Sequence, residues 1–184
     1  MDMKKYISLM LLLLCVCFLQ AQEKIVILKK GAKLPGLEKG TYYKTPEATE
    51  NGKSFEGFWE YKNGTENLKL KIGIKKVFMP KLEFYIDKLT LEYFYDNGDS
   101  NIISNDSEDN FLKSGSAISG TKAHFMCYDM VKKKNFYIDL ELLNNNQIKM
   151  ALTNVPGGIR INPTTKTDFT FSLPTDIILT KQNL

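Results

Sequence analysis

The stretch from Phe55 to Lys76 limits the folds open to this chain more than any other. Phe55, Gly57, Trp59 and Tyr61 fall on one face of a period-2 strand, while Glu56, Glu60 and Lys62 face away. Leu68, Leu70, Ile72 and Ile74 then alternate with Lys69, Lys71, Gly73 and Lys75, the pattern of a second strand with one wet face. Between the two, Asn63-Gly64 is expected to supply the positive φ angles of a tight hairpin turn. A ribbon of this kind must bury its apolar face, and an antiparallel barrel does so while leaving no sheet edge open.

The rest of the chain has the same character. Leu82, Phe84 and Ile86 are apolar at even positions, and Leu89, Leu91, Tyr93 and Tyr95 at odd ones, so a turn or bulge is expected near Asp87. Asp96-Asn97-Gly98-Asp99 predicts a turn and Ile102-Ile103 a short return strand. Asn105 to Asn110 is acidic and Ser114 to Gly120 small, and both read as loop. Ala123 to Val131, Phe136 to Leu142 and Ile148 to Leu152 form a meander, its second turn made by Asn144-Asn145-Asn146 through left-handed backbone. Phe169 and Phe171 read as a minor strand, and Asp176 to Lys181 as the last. Before the hairpin, Ile25 to Leu28 reads as a first strand. Thr45-Pro46-Glu47 reads as a helix start with Thr45 as cap, stopped by Gly52 and placed to close one end of a barrel. The fold class is therefore all-β: an antiparallel up-and-down barrel of about eight strands with a short helix before its first strand.

Lys4-Lys5, the apolar run Ile7 to Leu19 and the small residue Ala21 are the pattern of a signal peptide cleaved before Gln22. The run is shorter than the roughly 20 residues a spanning helix needs, so no membrane span is expected in the mature chain, which would be secreted or periplasmic. The organisation predicted is a leader over 1–21, an arm and short helix over 22–54, and a β-barrel over 55–184. Cys15 and Cys17 fall in the leader behind Leu14 and Val16, bulky where a lipidation site has a small residue. Cys127 then remains alone, without an internal disulfide partner. The net charge of +4 is mild, and Arg160 is the sole arginine, which argues against a nucleic-acid partner.

Few residues could support chemistry. His124 is the one histidine, and Cys127 three places later points to the opposite face of a strand, so a Cys-His pair is not expected. Asp96, Asp99, Asp106, Glu108 and Asp109 cluster in sequence, yet Asn101 and Ser107 stand where a calcium loop counted from Asp96 needs glycine and glutamate. No metal, cofactor or catalytic residue is assigned, and the chain is read as not an enzyme. Lys69, Lys71, Lys75, Lys76 and Lys132 to Lys134 are read as solvent-facing. Lys181 shares strand parity with Ile177 and Leu179, so if the last strand pairs beside that of Trp59, its ammonium lies over the indole.

Gly57-Phe58-Trp59 after a short helix, with a basic residue near the chain end, resembles the first-strand signature of lipocalins. That resemblance implies an eight-stranded barrel around a ligand cavity. More broadly, Gly40-Thr41-Tyr42-Tyr43-Lys44, Phe55 to Trp59, Asn63-Gly64, Lys75-Lys76, Tyr85-x-Asp87-x-Leu89 and Pro174 to Lys181 look like an uncharacterised family of small secreted bacterial proteins. It implies a shared fold and export, and transfers no activity. The function expected is binding of a small apolar or amphipathic ligand, with Phe55, Trp59 and Tyr61 lining the interior. The alternative is a non-enzymatic interaction or structural module at the cell surface or in the periplasm, its barrel filled by side chains.

Overall fold

The computed structural model describes residues 23–29, 36–99, 102–105, 114–155 and 168–182. The leader over 1–21, the residues Asp106, Glu108 and Asp109, Arg160 and most of the stretch before Asp168 lie outside the described residues. In chain order the elements are β1 Ile25–Ile27, β2 Tyr42–Lys44, α1 Pro46–Lys53, β3 Gly57–Asn63, β4 Glu66–Met79, β5 Phe84–Asp96 and β6 Ile102–Ser104. There follow β7 Ser114–Ser119, β8 Lys122–Asp129, β9 Lys134–Asn144, β10 Gln147–Asn154 and β11 Ile177–Gln182.

Eight of these strands close an antiparallel barrel, as the alternation predicts. Around the wall run β3, β4, β5, β7, β8, β9, β10 and β11, and β11 returns to β3 through Thr180 opposite Glu60 and Lys181 opposite Trp59. The inward face is mainly apolar on every wall strand except β7, whose residues are small. Trp59, Leu68, Leu70, Leu91, Tyr93, Phe125, Phe136, Ile138, Ile148, Met150 and Leu179 are all buried in one core. Cys127 belongs to that core and His124 does not, as the opposite parities of the two require.

β5 organises the closure, because three elements share its second edge. β2 runs parallel to it at Tyr85 and Ile86, β7 pairs with Leu89 and Thr90, and β6 pairs with Phe94 to Asp96. In the gap between β7 and β6, the Asn105 side chain stands in for a strand. Its Oδ1 accepts from the Tyr93 N–H at 2.7 Å and its Nδ2 donates to the Leu91 carbonyl at 2.9 Å. With the Asn105 N–H donating to the Tyr93 carbonyl at 3.4 Å, one residue thus satisfies this stretch of the ladder edge.

Several local expectations are corrected. No bulge interrupts β5, which pairs in continuous register with β4 from Asn67 opposite Asp96 to Met79 opposite Phe84. The parity changes because the β4–β5 hairpin outruns the barrel: beyond Ile74 and Leu89 it is the other face, with Val77 and Phe84, that is buried. Tyr43 of the N-terminal arm meets Phe84 there edge to face at 5.3 Å. Ser114 to Ser119, expected as loop, is the barrel strand β7. Phe169 and Phe171 lie in irregular chain, not in a strand. In the first hairpin only Gly64 has positive φ, and Asn63 is the last strand residue. Asn144 to Asn146 turn without left-handed backbone, held by the Asn146 N–H donating to Asn144 Oδ1 at 2.9 Å.

The helix forms where expected, with Pro46 in its first turn, but Thr45 makes no side-chain cap and Gly52 lies within the helix. Gly52 serves packing instead. A Cβ there would stand 3.2 Å from Leu89 Cδ1 and 3.3 Å from Ile74 Cδ1, so the missing side chain lets α1 settle onto two inward-facing residues at the barrel end.

Candidate functional site

The α1 end of the barrel holds Phe55 and Trp59, two of the residues expected to line a ligand cavity, while Tyr61 lies farther along β3, opposite Leu68 near the hairpin turn. Phe55 and Trp59 are wholly buried, and Tyr61 is half-buried against the same core. The buried indole N–H of Trp59 donates to the Phe55 carbonyl at 2.8 Å, which removes the cost of an orphaned donor. Glu56 performs a similar service for β4, its Oε1 accepting from the Ile74 N–H at 3.1 Å beyond the last residue paired with β3.

Gly57 and Lys181 explain each other. Gly57 has φ +128°, which few residues other than glycine adopt, and a Cβ on it would come within 2.9 Å of Lys181 Cε. The lysine stem runs through that space and sets its ammonium 5.0 Å from the centre of the Trp59 ring, as the strand parity predicts. Such a contact contributes about 0.5–2 kcal/mol, more when water is excluded. Lys181→Met should lower the urea unfolding free energy by an amount in that range. An unchanged midpoint would show that the ammonium adds nothing to the indole face.

At the opposite end, the segment from Asp168 to Asp176 lies across the barrel mouth. Leu173 is buried in the core, and Phe171 packs against Phe136 with ring centres 5.8 Å apart. Lys134 stands 4.7 Å from the Phe171 ring and donates to the Asp168 carbonyl at 2.6 Å. The hub is Asp129, a fully buried aspartate at the end of β8. Its carboxylate accepts from the Val131 N–H at 3.0 Å, the Lys132 N–H at 2.9 Å, the Ser172 N–H at 2.9 Å and Ser172 Oγ at 2.7 Å. Burial alone would raise its pKa, but these donors outweigh burial and hold the carboxyl below the usual aspartate value. Sequence reasoning passed over Asp129; an aspartate opening a turn after an apolar strand is the signal that could have drawn attention to it.

On the outer wall, His124 and Asp139 face each other across β8 and β9, Nδ1 to Oδ1 at 2.6 Å, and Thr153 donates to the other carboxylate oxygen at 3.3 Å. Ser116 is the cross-strand neighbour of His124 on β7, but among the described residues it makes no hydrogen bond to the imidazole. Cys127 is buried, and its surroundings push the thiol pKa up to about 12, far from a reactive thiolate. Among the described residues no three His, Cys, Asp or Glu side chains are placed to hold one metal ion. Four of the surface lysines have local partners: Lys71 and Lys75 meet Glu92, Lys76 meets Glu23 and two tyrosine rings, and Lys132 meets Asp168. The outer surface carries several concavities among the described residues. One lies beneath α1 beside Gly115 to Ala117, and others lie over β3 to β6 and over β8 to β10.

Fold and site together define an all-β protein built on a closed eight-stranded barrel, with its inward face given to packing. Residues 3–114 and 108–182 match a family of unknown function, DUF6705, and the chain belongs to that family. No curated protein and no solved structure matches it. Among the described residues no helix is long and apolar enough to cross a membrane.

Proposed function

We propose that this is an exported, non-catalytic binding module that works from the outside of its barrel. The observation that carries the reading is the state of the two barrel ends. Trp59 under Lys181 with α1 packed beside it occupies one, and Leu173 and Phe171 occupy the other. Phe55, Trp59 and Tyr61 are then structural residues, and a small apolar or amphipathic ligand is met on the wall rather than in the interior. The basic and apolar pattern of residues 1–21 supports export. Among the described residues the His124–Asp139 pair engages no nucleophile, which favours binding over catalysis.

Trp59 is the sole tryptophan and reports on the interior. Its emission should stay constant in titrations with fatty acids, haem and other hydrophobic compounds. A saturable shift in its emission would instead place a ligand among Phe55, Trp59 and Tyr61.

A further inference from the structure

The groove over β3, β4, β5 and β6 has a volume of about 430 Å³, within the range of roughly 300–1,000 Å³ typical of small-molecule sites. Its composition follows from register. On the outward face Phe58 stands opposite Lys71, which stands opposite Glu92; one step along, Glu60 stands opposite Lys69, which stands opposite Phe94. Two phenyl rings on β3 and β5 therefore flank two lysines on β4. Both rings are on the wet side of the barrel, with 41 % of Phe58 and 43 % of Phe94 exposed. Neither is needed by the core, which lies on the other face of the same strands.

The polar groups of the groove are unevenly occupied. Asn105 spends its amide on the β5 backbone. Glu92 is shared by Lys75 at 2.8 Å and Lys71 at 3.4 Å, and Glu60 is taken by Lys62 at 3.1 Å. Lys69, between the two rings, forms no ion pair among the described residues. The groove is thus lined by two lysines and one glutamate, with the ammonium of Lys69 unpaired among the described residues.

We infer that this groove binds a small amphipathic carboxylate, its apolar body between Phe58 and Phe94 and its carboxylate on Lys69. An anion restores the missing charge partner, and an apolar tail covers the two exposed rings. The inference rests on the reading that the protein acts from its outer wall.

Dodecanoate, kept below its micelle concentration, is the probe, with dodecylamine as the cationic control of equal chain length. Binding is followed by isothermal titration calorimetry, with Trp59 emission recorded in parallel. The wild type should bind dodecanoate and prefer it to dodecylamine. Lys69→Gln should weaken dodecanoate about tenfold, the loss of one charge-assisted contact of about 1.4 kcal/mol, and erase the preference. Phe94→Ser should weaken both compounds, and both variants should unfold at wild-type urea concentrations because neither side chain is in the core. Failure of the wild type to bind dodecanoate overturns the groove assignment and leaves the filled interior standing. Binding that both variants retain, accompanied by a shift in Trp59 emission, overturns both.

Discussion

Asp129→Ala should lower the unfolding free energy by roughly 2–5 kcal/mol, because it strands several buried donors at once. The Val131, Lys132 and Ser172 N–H groups and the Ser172 hydroxyl converge on this one carboxylate, and among the described residues they have no other acceptor. The loss has a location. Ser172 lies between Phe171 and Leu173, so releasing it frees the chain that covers the barrel mouth, and hydrogen exchange at Thr170 and Ser172 should rise before that of β8 or β9. The pH dependence follows from the depressed pKa. A carboxyl whose folded-state pKa lies below its unfolded value gives the unfolded chain the greater proton affinity. Its contribution is therefore complete above the unfolded pKa, near 4, and fades as pH falls through the lower folded value. Asp129→Asn removes this titration, so the stability gap between wild type and Asn variant should be widest at neutral pH and shrink below about pH 4. Equal urea midpoints for wild type and Asp129→Ala at pH 7 would show that the hub does not hold the strap.

How much of this could be read in advance varied with the kind of force involved. Period-2 alternation announced the first hairpin, the meander of β8 to β10 and β11, because there a single face meets the core, in β4 as far as Ile74. The β4–β5 hairpin broke that rule without breaking its ladder. It changes which face is covered halfway along, and a one-dimensional pattern cannot distinguish that from a bulge. The Lys181 contact was legible because parity and pairing are both local rules. Asp129 was not, since its place at a turn after an apolar strand says nothing of its partner Ser172, 43 residues away. The groove was hidden for a related reason. Phe58 and Phe94 each look like ordinary strand aromatics, and only the register of three strands brings them to either side of Lys69.

The strand that sequence reading lost, β7, carries the second large expected effect. Ser114-Gly115-Ser116-Ala117-Ile118-Ser119 has no apolar alternation, and small residues without periodicity look like loop. In the folded protein smallness is what the position requires. A Cβ on Gly115 would fall well inside 3.0 Å of the His124 carbonyl oxygen and the Phe125 ring, one of them backbone and the other a wholly buried side chain. Neither can retreat cheaply, because Phe125 is fixed between β8's neighbours and the His124 carbonyl belongs to the ladder. Gly115 is also opposite Leu89, and it is through Leu89 and Thr90 alone that β7 joins β5. Gly115→Ala should therefore push β7 away from β8 at the very residue that closes the wall, with a loss of roughly 3 kcal/mol or more, in the upper range for overpacking a core. The comparison variant is Gly120→Ala, where a Cβ meets nothing within 4 Å and φ is not in the left-handed range; it should unfold like the wild type. Urea titration of the two variants separates steric closure from any general cost of replacing glycine in this segment. If the two lose equal stability, β7 is not the tight seam of the barrel, and closure must depend on the Ser114–Thr90 pair instead.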